Sequence, residues 1–335
     1  MNFSPIKKNR EVLISTVPAL RYNGEQSFAE WQNVAKEKLI ELLGMDLFVS
    51  CDPKFSIEST SENAEYNEYA FSIESEADYR FTATLRVPAG APAKLPMAIC
   101  LFGHSEDLAA SMNGENDRDL CAQALKRGYC ALAVEQRNFD NCFAIKDIPL
   151  EESLTRTTWC ACYRSSMRAA MLRRTTIGER VWDIMHAIDA VLANFDFVDE
   201  SNIAIVANSG NSTAAYYAAC LDERISTVMI SSGVATWESS VARASLCACN
   251  YVPKIANYFD MGDVGGLIAP RKIVLIGSSE DVRFPEYGLR AAFDQLSEAY
   301  KAAGAQDNCK LIVKDGPARF YADDAWTVIR QLLGR

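Results

Sequence analysis

Ala207, Asn208, Ser209, Gly210 and Asn211 follow the apolar run at 203–207 and open a helical pattern over 212–220. A serine on a sharp turn between a buried strand and a helix is lifted above a sheet, where its hydroxyl can act as a nucleophile. The positions two before and two after it must be small, because strand and helix backbones pass close together there. Ala207 meets that demand, whereas Asn211 is larger than the usual glycine and departs from a regular turn. A polar N-cap is the plainer reading of the same residues, since Ser and Asn are favoured caps.

A nucleophilic serine needs a base, and the base needs an acid to hold it. Asp281 stands just past the apolar run at 273–276, in the stretch IVLIGSSEDVRFP, where a carboxylate could orient a histidine. An aspartate on a surface loop is the alternative. The pairs Cys160-x-Cys162 and Cys247-x-Cys249 have the look of metal half-sites, but no histidine or further Cys-x-x-Cys accompanies them. They read instead as small buried residues, so neither a metal nor a cofactor is expected. The glycines of MGDVGG at 261–266 follow no strand, which leaves a dinucleotide site without support. Glu135, Gln136 and Arg137 at a strand end either shape a pocket or pair at the surface.

Elements to position these groups are legible. From Pro96 onward, short apolar runs at 97–102, 129–134, 203–207, 227–230, 273–276 and 311–313 alternate with helical patterns. Runs apolar at nearly every position suit strands buried on both faces of a parallel sheet. The clearest helix spans about 176–194, with Ile177, Val181, Ile184, Met185, Ile188, Val191 and Leu192 in one stripe; another is expected at about 323–333. The first ninety residues differ, offering a helix at 28–43 and then alternating segments at 66–73 and 79–87 that read as antiparallel edge strands. Two stretches, 138–174 and 234–270, are long for connections and are candidate substrate-covering insertions. No linker or repeat marks a second domain, so 1–335 is expected to be one α/β domain.

The chain resembles bacterial α/β-hydrolases of the acetyl xylan esterase-like and dienelactone hydrolase-like kind. The likeness lies in RTTIGERVWD at 174–183, ANSGNST at 207–213, YAACLDERI at 217–225, CNYVP at 249–253, FDMGDVGGLIAPRK, EDVRFP at 280–285 and RFYADDAW at 319–326. It implies a mostly parallel central sheet with antiparallel N-terminal strands and helices on both faces. It also implies Ser209 as nucleophile, Asp281 as acid, and an oxyanion hole from the Gly210 N–H and one from the loop Phe102-Gly103-His104-Ser105. The activity implied is carboxylic ester hydrolysis of the acetyl esterase type.

One residue breaks the pattern. Members of that family carry the catalytic histidine immediately before the Arg-Phe-Tyr found here at 319–321, and this chain has Ala318 in its place. The only two histidines are His104, on the oxyanion loop, and His186, on the long helix with Asp183 and Asp189 three residues to either side. His104 would approach Ser209 from the wrong side to be held by Asp281, and His186 reads as structural. Losing the base of a serine triad costs on the order of 10⁶ in turnover, roughly 8 kcal/mol of barrier. The sequence therefore predicts either an impaired serine esterase, its histidine replaced in an otherwise intact site, or a natural pseudoenzyme that binds a small molecule or acts as a scaffold.

Composition narrows the partners. The 335 residues are 49% hydrophobic and 23% charged, within the globular range, and carry a net charge of −10. That charge would repel a phosphate backbone or an anionic membrane, which leaves a small-molecule ester as the expected partner and homo-oligomerisation open. Eleven cysteines, scattered through strands and helices, fit a reducing compartment better than a disulfide framework. No secretory signal and no stretch of about 20 apolar residues is evident, and the expectation is a cytoplasmic protein.

Overall fold

Strands buried on both faces must offer an apolar side chain to each, and the parallel strands of this chain do so residue by residue. In the computed structural model, which describes residues 4–91, 94–103, 112–113, 118–137, 161–244 and 246–334, they form six neighbours of one sheet. Met97, Ile99 and Leu101 of β4 (Leu95–Leu101) face one core, and Ala98 and Cys100 face another. The same alternation divides β5 (Cys130–Val134), β6 (Val198–Asn208), β7 (Ile225–Ser231) and β8 (Lys272–Ser278), with β9 (Cys309–Lys314) closing the edge.

Three antiparallel strands extend the other edge: β1 (Phe55–Glu62), β2 (Tyr66–Glu76) and β3 (Tyr79–Pro88). The sheet order is β1-β2-β3-β5-β4-β6-β7-β8-β9, with β3 antiparallel to β5 and all pairs from β5 to β9 parallel. Neither β1 nor the first helix, α1 (Pro5–Ser15), was expected from the sequence. Most of β1 is exposed and α1 buries no residue, so neither carries a strong apolar pattern.

Helices cover both faces, as the resemblance implied. The larger core lies beneath α2 (Phe28–Leu43), α5 (Thr176–Asn194) and α6 (Ser212–Leu221). It continues beneath α7 (Met261–Gly265) and α8 (Glu286–Ala302). The smaller core, lined by alanines of the strands, lies beneath α3 (Leu120–Leu125) and α9 (Ala322–Leu332), where Trp326 and Ile329 are buried. Between α3 and α5 stands α4 (Ala161–Met171). The helix at 28–43 ends on Gly44 with φ of 73°, a left-handed C-cap that a residue with a Cβ disfavours. Thr175 caps α5, its hydroxyl accepting from Gly178 N, and ties that cap to the end of α2 by donating to Leu43 O.

The stretch 234–270 is not purely a covering segment. Phe259, Met261, Val264, Leu267 and Ile268 are buried in the larger core, and Tyr216 of α6 donates to Met261 O at 2.9 Å. The glycines at 262, 265 and 266 serve this packing: a Cβ on Gly265 would meet the Tyr216 hydroxyl at 2.0 Å. Most of the other stretch, residues 138–160, lies outside the described residues. No helix among the described residues is long and apolar enough to cross a membrane.

Candidate active site

In an open parallel sheet, connections that leave neighbouring strands in opposite directions open a crevice at the carboxyl ends. Here that place lies between β4, whose chain runs on to β5, and β6, whose chain runs on to β7. Phe102 and Gly103 follow the first of these strands and Ser209 follows the second.

Ser209 has φ of 60°, a left-handed conformation that a serine adopts only where its surroundings enforce it. Its side chain is half-buried, Asn208 before it is extended, and α6 begins three residues later. The turn therefore has the strained strand-to-helix shape expected of an exposed nucleophile. Asn211 fits it by burying its side chain completely and donating from Nδ2 to Phe102 O at 2.7 Å, so the large residue ties the turn to the end of β4. On the far side, Gly233 allows the close approach, since a Cβ there would stand 2.2 Å from that of Ser212.

A series of hydrogen bonds binds the next strand ends to this turn. Ser212 Oγ donates to Ser231 O at 2.6 Å, and Ser231 Oγ donates to Arg319 O at 2.8 Å. Ser232 N donates to Ile276 O, Ser279 N to Lys314 O and Glu280 N to Gly316 O. The loops carrying 281 and 318 are thus stitched to each other and to the turn at 209. Gly316 has φ of 118°, open only to glycine, and Tyr321 is left-handed at 53° with its hydroxyl donating to Pro317 O.

Asp281 is buried. Its Oδ1 accepts the N–H groups of Arg283 and Phe284 at 2.9 and 3.0 Å, and its Oδ2 has no hydrogen-bond partner. A buried carboxylate oxygen without a donor is costly. Ala318 is exposed and offers only a methyl group. Other orphaned atoms crowd the same strand ends: Oδ1 of Asn208 and Asn211, the hydroxyls of Ser232 and Ser278, and both amide atoms of Gln136.

The structure therefore brings 209, 281 and 318 to one edge of the sheet. Gly210 is half-buried beside Ser209; His104 and Ser105 lie outside the described residues. His186 is remote from this edge, with Nδ1 against Trp182 O at 2.9 Å and its ring on that of Trp182. Its flanking aspartates are engaged elsewhere, Asp183 with Arg137 and Asp189 with Arg224.

Glu135, Gln136 and Arg137 resolve into buried groups rather than surface pairs. Glu135 accepts from Thr82 Oγ1, Arg137 binds Asp183, and Gln136 stands unpartnered at the end of β5. Gln136 was read as shaping a pocket or pairing at the surface, whereas the Ser232 and Ser278 hydroxyls were not anticipated at this edge. Their only sequence signal is a polar residue directly after an apolar strand.

No family model matches the sequence, and neither does any curated protein. Solved structures do. A candidate acetyl xylan esterase from Bacteroides fragilis superimposes with a TM-score of 0.73 at 18% identity, covering 93% of this chain and 83% of that one. A glucuronoyl esterase from Solibacter usitatus gives 0.66 at 15%, covering 94% and 96%. A glucuronoyl esterase from Caldicellulosiruptor kristjansonii gives 0.65 at 16%, covering 96% and 91%. With the strand order and the turn at Ser209, these likenesses establish that the chain has the α/β-hydrolase fold.

Proposed function

We propose that the chain is a carboxylic ester hydrolase of the acetyl esterase type whose site is complete except for its base. The observation that carries this reading is the pairing of a strained, accessible Ser209 with an Asp281 whose buried Oδ2 faces no donor. In the full reaction the Ser209 hydroxyl would attack the acyl carbonyl and the Gly210 N–H would hold the oxyanion. A base at 318, oriented by Asp281, would take the serine proton and return it to the leaving alcohol. With Ala318 that proton has no acceptor, and what remains is binding plus oxyanion stabilisation, worth roughly 10³ to 10⁴ over water. The structural neighbours named above are ester-cleaving proteins, which favours a small carbohydrate ester as the ligand.

The second reading, a binding protein on the same scaffold, rests on Ala318 itself and on Asn211, which replaces a small residue yet is built into the turn. One experiment separates the two. Ala318→His should raise hydrolysis of p-nitrophenyl acetate by roughly 10³-fold or more, and Ser209→Ala in the same background should remove the gain. A folded Ala318→His protein no faster than its parent would leave only the binding role.

A further inference from the structure

The two Cys-x-Cys pairs, read separately, looked like small buried residues; the fold brings Cys162 of the first to both cysteines of the second. Cys162 lies in α4, and Cys247 and Cys249 flank the start of a 3-10 turn at Ala248–Asn250. The three sulfurs all lie within 4.8 Å of one another, with Cys162 and Cys249 buried and Cys247 half-buried. Arg180, fully buried in α5, donates from Nη2 to Cys162 Sγ at 3.5 Å, and its guanidinium also reaches Cys249.

We propose that Cys162, Cys247 and Cys249 form a binding site for a thiophilic divalent cation of the zinc type, held by three thiolates with water in the fourth position. Geometry permits it: a metal–sulfur distance of about 2.3 Å in a tetrahedron sets the sulfurs about 3.8 Å apart, so the triangle needs to close by about 1 Å at most. Charge permits it too. The charges of three thiolates are offset by one divalent ion and the Arg180 guanidinium, so the buried cluster becomes neutral when loaded.

A free thiol is largely protonated at neutral pH, so binding would break three S–H bonds, form three S–metal bonds and release three protons to solvent.

The site would brace the wall beside the candidate nucleophile. Asn250 Nδ2 contacts Cys249 Sγ at 3.6 Å, and its Oδ1 accepts from Thr213 Oγ1 at 2.8 Å, in the first turn of α6 and four residues beyond Ser209.

Cadmium, a spectroscopically visible stand-in, tests the proposal on the reduced full chain. The expected result is one ion per chain, an ultraviolet thiolate-to-cadmium charge-transfer band, and about three protons released per ion in weak buffer. Cys249→Ser should abolish the band and Cys51→Ser should keep it. No band on the parent chain, binding without proton release, or an undiminished band in Cys249→Ser would each overturn the site. Should Cys249→Ser fail to fold, the proton count on the parent chain decides alone.

Discussion

Behind the antiparallel edge of the sheet, Asp183 accepts Arg137 through both oxygens, at 2.7 and 2.9 Å, and Ser75 Oγ at 2.6 Å. Glu76 takes Arg137 and Arg174, and Glu179 takes Arg174. At the carboxyl ends of β5 to β8, a comparable set of buried polar groups is left without partners: the Gln136 amide, Asn208 Oδ1, the Ser232 and Ser278 hydroxyls and Asp281 Oδ2. The contrast runs even through adjacent residues, since Arg137 is saturated and Gln136 beside it is not. Arg174 Nε is the exception within the paired cluster, and each buried polar group left without a partner costs stability.

The largest effect expected from this contrast is at Asp183. Asp183→Ala strips the buried Arg137 guanidinium of its main partner and should cost about 3–5 kcal/mol in denaturant unfolding, the usual penalty for half a buried ion pair. A loss below about 1 kcal/mol would mean the cluster is no more structural than the strand ends opposite it. At Ser209 the sign should reverse. Glycine adopts a φ of 60° without strain, so Ser209→Gly should stabilise the protein by about 0.5–1 kcal/mol while removing any nucleophile. A destabilised Ser209→Gly protein would show that the serine is held for the fold.

Why one region could be read from the sequence and the other only in part follows from their chemistry. The strands at 97–102, 203–207 and 273–276 announce themselves because each must be apolar toward both cores, and Ser209 and Asp281 are visible because they sit immediately past such runs. Helix Thr176–Asn194 was legible from its stripe. Strand β1 was not, because its side chains face solvent. The meeting of Cys162 with Cys247 and Cys249 joins residues some 85 apart in sequence through the packing of α4 on a loop, and no local pattern encodes it. For the same reason Glu135, Gln136 and Arg137 could not be sorted into paired and unpaired groups before the partners on β2, β3 and α5 were in place.

The smallest effect concerns the carboxylates of the paired cluster, and it tests whether that cluster is balanced. Glu76, Glu179 and Asp183 face Arg137 and Arg174, three negative charges against two positive, so one carboxylate must be the poorly compensated one. Glu179 has that character: burial raises its pKa, and the pull of Arg137 and Arg174 does not offset it. Burial acts on Glu76 in the same sense but is outweighed by hydrogen bonds from Arg174 and Arg137, and its pKa is lowered. The two should therefore respond to pH with opposite sign. The contribution of Glu179 is full below the ordinary carboxylate range and is lost as pH rises through its folded value, so Glu179→Gln should gain on the parent protein as pH rises from acid toward neutral. Glu76 contributes above the ordinary range and loses that contribution as pH falls through its depressed value, so Glu76→Gln should lose ground to the parent over the same rise. Unfolding free energies of the parent and the two variants across that interval give two difference curves, and curves of the same slope would show that the surplus charge is shared across the cluster instead of resting on Glu179.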